Sequence, residues 1–235
     1  MIYVLSDLHG CYQQWKKMLS LISLRESDEL YILGDILDRG EEPIKLLLDI
    51  MSRDNIFSLL GNHEYMFLQC VRSLPLEADI DSFMLYYEEQ DFLNLAAWMQ
   101  DGGRITFEQY LALTPDDKEA ILDYLLELPI YDKLVLGEKN YLFTHSGLRN
   151  FSTTLSLEDY SAQDFLFDRP DIQNTYFEDR MLIFGHTPTF YYQGQPQGEI
   201  FKAKTFINLD CGCVFPEKGG RLGCLCLDDN RCFYI

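Results

Sequence analysis

The chain has 235 residues, 47 % of them hydrophobic, and carries 19 Lys plus Arg against 38 Asp plus Glu, a formal charge of −19. That length and apolar content suit one α/β domain with a sizeable core, and the acidity repels polyanions, which excludes a long nucleic-acid-binding surface. The chain opens Met-Ile-Tyr-Val-Leu-Ser-Asp, with no basic leader and no long apolar run, so neither a signal peptide nor a membrane span is expected and a cytoplasmic setting follows.

Residues 2–6, 29–34 and 55–60 are short apolar runs with polar ends and read as buried strands. Between them, Trp15, Met18, Leu19 and Ile22 recur at helical spacing, and 41–52 does likewise with Pro43 near its start. Strand, helix, strand, helix, strand favours parallel pairing with right-handed crossovers. From Glu64 to about Leu128 the chain becomes helix-like and rich in aromatics and acids, with Thr114-Pro115-Asp116-Asp117 as N-cap, first position and acidic first turn. A helical insertion or lid over about 64–130 is expected there. Lys133–Leu136 and Tyr141–Thr144 form an expected hairpin around Gly137-Glu138-Lys139-Asn140. Strands at 181–185, 204–209, 221–227 and 231–235 complete the series, the last two joined at Asp228-Asp229-Asn230.

Chemistry-bearing residues collect where these strands end. In Asp7-Leu8-His9-Gly10 a carboxylate and an imidazole two residues apart on extended chain project to one side and can meet at one ion. Gly34-Asp35-Ile36-Leu37-Asp38-Arg39-Gly40 packs two acids and an arginine into a turn, although Asp38 and Arg39 alone could be a surface pair and Asp7 or Asp35 a helix cap. In Gly61-Asn62-His63-Glu64 the neighbours Asn62 and His63 must point in different directions, so one can bind metal while the other faces substrate. The remaining histidines stand in Thr144-His145-Ser146-Gly147 and Phe184-Gly185-His186-Thr187. All four histidines thus follow expected strands, where α/β sheets place their ligands. The seven cysteines lack C-x-x-C spacing and read as buried thiols; Cys211-Gly-Cys213 and Cys224-Leu-Cys226 fit strand alternation.

The order of these motifs resembles the phosphoprotein phosphatase branch of the calcineurin-like metallophosphoesterases, over residues 7–187 with further likeness in Ile207–Leu227. The compact length and Trp98…Gly102-Gly103…Thr106 look closer to small bacterial and phage phosphatases, and to symmetrical dinucleoside tetraphosphate hydrolases, than to eukaryotic enzymes. Ser6 and Ser146 stand where many members have glycine, but neither supplies a ligand side chain. The resemblance implies a four-layer α/β/β/α sandwich of two mixed sheets, as one domain over 1–235 with the helical insertion.

It also implies roles. Asp7 and His9 would bind one divalent ion, Asp35 would bridge two, and Asn62, His145 and His186 would complete the second. Nitrogen and oxygen ligands without thiolate suit Mn foremost, then Fe or Zn, and such a pair activates a shared water for direct attack on phosphorus. His63 would be the general acid with Asp38 fixing its tautomer, and Arg39 would clamp phosphate oxygens together with Arg169 of Phe167-Asp168-Arg169-Pro170; Arg104 is a weaker alternative to Arg169. The expected activity is a metal-dependent serine/threonine phosphoprotein phosphatase, the alternative a symmetrical diadenosine tetraphosphate hydrolase. The expected partner is a phosphoprotein or a small phosphoester or dinucleotide, with no nucleic-acid polymer and no membrane.

Overall fold

A computed structural model describes residues 1–171, 173–192, 194 and 197–235. The first sheet holds β1 (Ile2–Leu5), β2 (Glu29–Ile32), β3 (Ile56–Ser58), β9 (Gly223–Cys226) and β10 (Cys232–Tyr234) in the order β10-β9-β1-β2-β3. The second holds β4 (Tyr131–Leu136), β5 (Lys139–Thr144), β6 (Met181–Phe184), β7 (Phe201–Lys202) and β8 (Phe206–Asn208) in the order β4-β5-β6-β8-β7. The pairs β1/β2, β2/β3, β5/β6 and β6/β8 are parallel, with antiparallel strands at both sides of the second sheet and at the β10 side of the first, where β3 closes the other side in parallel. Both sheets are mixed, as expected.

Period-two alternation explains the layering. Val4, Leu225, Phe143, Ile183 and Ile207 point inward and form one apolar cluster between the sheets. Their neighbours Tyr3, Leu5, Cys224 and Cys226 face the opposite side of the first sheet, while Leu142, Leu182, Phe184 and Phe206 face outward from the second. The outer face of the first sheet is covered by α1 (Tyr12–Ile22) and α2 (Pro43–Met51), with α3 (Asn62–Val71), α4 (Glu89–Gln100), α5 (Arg104–Leu111) and α6 (Pro115–Glu127) contributing to the same cluster. Phe165 of the short α7 (Ala162–Leu166), with Leu148, Leu157 and Tyr176, covers the second.

Several expected details shift. The helix-like stretch expected from Glu64 starts at Asn62, so Asn62 and His63 already lie on the first turn of α3. Its buried residues Leu95, Trp98, Phe107 and Ile121 belong to the same apolar cluster as Leu5 and Ile32. Thr114 caps α6 as its sequence suggests, its hydroxyl accepting from the Asp117 N–H at 3.2 Å. The β4–β5 turn is tighter than expected, with Leu136 paired to Lys139 and Gly137 at φ 61°. Two-residue β7 is too short to show a period in sequence. Cys224 and Cys226 do alternate on a strand, whereas Cys211 and Cys213 lie in the turn after β8. Among the described residues no helix is long and apolar enough to cross a membrane.

One backbone contact fixes where the strand ends meet. Gly34 follows β2 at φ 87°, and a Cβ there would lie 2.6 Å from the Gly61 Cα and 2.7 Å from its nitrogen. Replacing Gly34 by Ala therefore meets both a forbidden φ and main-chain atoms that cannot yield. Gly34→Ala is expected to lower stability by more than about 1 kcal/mol and to weaken metal uptake, measured by urea unfolding and by calorimetric titration.

Candidate metal centre

Six parallel strands, β1, β2, β3, β5, β6 and β8, deliver their carboxyl ends to one edge of the sandwich, and the candidate residues follow them. Asp7 and His9 come after β1, Asp35, Asp38 and Arg39 after β2, His145 after β5, His186 after β6 and Asp210 after β8. Asn62 and His63 arrive beside them on α3. Of nine described non-glycine residues with positive φ, six are here: Asp7, His9, Asp35, Asp38, Arg39 and His186. Left-handed backbone is costly for such residues and persists where surroundings enforce it. It also corrects the extended reading of Asp7-Leu8-His9, since φ is 55° at Asp7 and 42° at His9. The Asp7 carboxylate accepts from the His186 N–H at 2.9 Å and from the Ser6 hydroxyl, while His9 turns toward Asp35.

Donor atoms then fall into two groups with Asp35 in both: His9, Asp35 and His63, and Asp35, His145 and His186, each set within 4.8 Å. One Asp35 oxygen lies 3.5 Å from His9 Nε2 and the other 3.4 Å from His145 Nε2, the arrangement a bridging carboxylate requires. The tautomers follow from the main chain. His145 Nδ1 donates to the Leu33 carbonyl at 2.8 Å and His9 Nδ1 to the Leu37 carbonyl at 2.9 Å, so both Nε2 atoms present lone pairs. His145 Nε2 faces Asn62 Oδ1 at 2.8 Å and His186 Nδ1 at 3.2 Å, and His186 Nδ1 lies 2.8 Å from the same oxygen. Converging lone pairs of this kind fit a cation, and the oxygen and imidazole donors fit a divalent first-row metal. Asn62, His145, His186, Asp35 and His9 thus meet as the sequence suggests, with Asp7 outside both compact groups.

Charge points the same way. Burial holds the His9 and His145 pKa values below the ordinary imidazole range, and burial together with His145 takes His186 to about 3, so all three are neutral as ligands must be. Burial would raise Asp35, but the surrounding imidazoles, His145 foremost, hold it ionised below the usual carboxylate range. Asp7 is pushed well above that range by burial, Asp210 and Asp35, and Asp210 rises to about 7 chiefly by burial. Three buried carboxylates lie close enough to act on one another, with the Arg39 and Arg169 guanidinium groups as their opposing charges, an excess of negative charge that bound dications would offset.

His63 differs from the other imidazoles. Its Nδ1 donates to Asp38 Oδ2 at 2.6 Å, while Nε2 is buried and lacks a hydrogen-bond partner among the described residues. Burial opposes its charge, but Asp35 and Asp38 outweigh burial and raise its pKa. Asp38 is itself fixed by Trp98 Nε1 and by the Thr106 hydroxyl, each at 2.5 Å, which gives the Trp98…Thr106 segment its structural meaning. Arg39 donates from Nη1 to His9 Nε2 at 2.8 Å and from Nη2 to Asp101 at 2.8 Å. Arg169 is exposed, and its charge is felt at His186 and Asp210. Arg104 instead forms an exposed pair with Glu108 at 3.9 Å.

Sequence reading gave no role to Glu64, Asp101 or Asp210. The buried Glu64 carboxylate accepts from the backbone N–H groups of Asp35, Ile36, Leu37 and Gly61 at 2.8–3.0 Å. Asp210, two residues past β8, repeats the apolar-strand-then-acid pattern of Asp7 and Asp35, which could have marked it.

Metal uptake by this site is expected to release protons. Asp7 and Asp210 have raised pKa values in the metal-free protein, so each holds a proton as pH falls through about 7 for Asp210 and must lose it to offset a bound dication. Mn affinity should fall from pH 8 to pH 6, and calorimetry in buffers of different ionisation enthalpy measures the protons released. A pH-independent affinity would count against this coupling.

Comparison with known proteins agrees with the geometry. The calcineurin-like phosphoesterase signature matches residues 1–206. A symmetrical bis(5'-nucleosyl)-tetraphosphatase of Wigglesworthia glossinidia brevipalpis is 33 % identical over 100 residues, 42 % of this chain but only 37 % of that protein. The protein of the same name from Actinobacillus succinogenes is 28 % identical over 274 residues, spanning 98 % of this chain and 95 % of its own. Among solved structures, one provisionally described as a diadenosine tetraphosphatase superposes with TM-score 0.65 at 16 % identity over 100 % of this chain and 92 % of that one. A serine/threonine phosphatase from Saccharomyces cerevisiae gives 0.54 at 15 % identity over 95 % and 71 %. At such identities these structures speak for the fold alone, a metallophosphoesterase fold. With the family signature across most of its length and two histidine–aspartate donor groups at its strand ends, this chain belongs to the calcineurin-like phosphoesterases.

Proposed function

We propose that this metal-dependent phosphoesterase is a symmetrical dinucleoside tetraphosphate hydrolase acting on diadenosine tetraphosphate or a close analogue. The observation that carries the reading is likeness along the whole chain to proteins of that name, 98 % of this chain against 95 % of the Actinobacillus succinogenes protein. It favours the dinucleotide over the phosphoprotein, the leading expectation from sequence, although both substrates would use the same groups.

In this reading His9, Asp35, Asn62, His145 and His186, with Asp7 behind them, hold two divalent ions, of which Mn suits the donors best and Fe or Zn also fit. When bound, the ions supply Lewis acidity and activate the attacking water. Asp35 keeps its negative charge between the two groups. Arg39 and Arg169 bind phosphate oxygens, Arg39 from a guanidinium held by its neighbours and Arg169 from an exposed position that substrate can reach. His63, held by Asp38 and with no hydrogen-bond partner for its Nε2 among the described residues, gives its proton to the leaving phosphate oxygen. The raised His63 pKa keeps that proton available near neutral pH. Burial of Asp38 beneath Trp98 and Thr106 fixes the imidazole and limits water around it.

Two measurements test this. Mn-loaded protein should cleave diadenosine tetraphosphate to ADP alone, with kcat/KM above that for a phosphoserine peptide. A preference for the peptide, or AMP and ATP as products, would overturn the assignment. His63→Asn should lower kcat by about 10²–10⁴ while keeping its full metal content by elemental analysis; loss of one ion with the activity would make His63 a ligand instead.

A further inference from the structure

The turn between α4 and α5 places a carboxylate that no motif identifies against the phosphate-binding arginine. Arg39 donates from Nε to the Asp101 carbonyl at 3.2 Å and from Nη2 to Asp101 Oδ1 at 2.8 Å, so one residue takes both donors on that side of the guanidinium with its main chain and its side chain. The backbone repeats the attachment, since the Arg39 N–H donates to the Gly102 carbonyl at 3.1 Å. Gly102, at φ 105°, packs so closely that a Cβ would lie 2.6 Å from Arg39 Cγ. The remaining contact, Nη1, is directed to His9 Nε2 at 2.8 Å, toward the donor group shared with Asp35. Arg39 is a quarter exposed and Asp101 half exposed, so without Asp101 a long, rotamer-rich side chain would be free to turn into solvent.

We propose that Asp101 is a positioning residue for phosphate recognition: by occupying Nε and Nη2 it fixes the plane of the Arg39 guanidinium and aims Nη1 at the substrate phosphate beside the first donor group. The inference rests on the phosphoesterase reading of Arg39, but not on which phosphate ester is the substrate. A planar guanidinium held on one side presents its other donors in a fixed direction, which is how arginine gains specificity for phosphate. The sign of the effect separates this role from simple electrostatics. A carboxylate beside a phosphate site repels phosphate, so removing it would tighten binding if charge alone mattered.

The test uses Mn-loaded full-length protein and inorganic phosphate, with calorimetric affinity read beside kcat and KM on p-nitrophenyl phosphate. Asp101→Ala is expected to weaken phosphate binding about tenfold, the scale of one charge-assisted hydrogen bond, and to raise KM more than it lowers kcat. Asp101→Asn, which keeps an acceptor for Nη2, should restore most of the loss. In an Arg39→Ala background, Asp101→Ala should change nothing further. Tighter or unchanged phosphate binding in Asp101→Ala, no rescue by Asn, or an equal loss without Arg39 would each overturn the proposal. An Arg39→Ala protein with undiminished phosphate affinity would remove the role of Arg39 and this inference with it. Wild-type phosphate affinity in Asp101→Ala beside a damaged Arg39→Ala would remove the inference alone.

Discussion

The Glu64 carboxylate is the contact on which the rest of the site depends. It accepts four backbone N–H groups, three from the turn after β2 and one from Gly61 at the head of its own helix. A helix N-terminus leaves donors unpaired, and so does a strand that stops in the interior. Glu64 satisfies both and so ties Asp35 to Asn62 and His63. The His63 N–H then donates to Asp35 Oδ1 at 3.1 Å, closing the arrangement from the other side. Burial and the nearby Asp35 push Glu64 up to about 7, against the pull of its backbone donors, so bringing these loops together carries an electrostatic cost.

That cost extends beyond Glu64. Asp7, Asp35, Asp38, Asp210 and Glu64 are all buried within one strand-end cluster, and the Arg39 charge acts on Asp7, Asp35 and Asp210. An apolar core would be easier to fold, and buried charges seldom add stability. Strained φ values at Asp7, Asp35, Asp38 and Arg39, and at His9 and His186 beside them, add to the expense. The framework that bears it is the alternating core on either side: Val4, Phe143 and Ile183 between the sheets, Leu5 and Ile32 outside the first. Rigid parallel strands beneath hold the donor atoms near one another when their own repulsion would part them.

Legibility in the sequence divides along physical lines. The sheets were readable because buried strands alternate and parallel crossovers need helices, and the site was readable because every histidine follows an apolar run. What sequence spacing missed was direction. Asp7 and His9 would share a side on extended chain, but left-handed backbone at both sends Asp7 to the His186 N–H and His9 to Asp35. Asn62 and His63 diverge as anticipated, yet on a helix, where neighbours are turned by about 100°. Glu64 and Asp101 were given no role because, Gly61 apart, their partners are 27 to 62 residues away in the chain, and only tertiary contact reveals what a lone acid holds.

The α4–α5 turn bears on the chemistry although none of its residues joins either donor group. Trp98 ends its reach on Asp38, Thr106 on the other oxygen of the same carboxylate, and Asp101 and Gly102 on Arg39. Two consecutive residues of the β2 loop, both at positive φ, are thereby held from above by a structure formed much later in the chain. The β2 loop alone could not keep Asp38 and Arg39 so, because left-handed backbone at adjacent non-glycine residues relaxes unless something opposes it. In the proposed reading the ligands that follow strands are held by the sheets and Asn62 by α3, whereas Asp38 and Arg39 are held as well by the α4–α5 segment packed above them. Substitutions in 98–106 should therefore alter turnover and substrate affinity before they alter metal content, a separation that follows from which layer holds which atom.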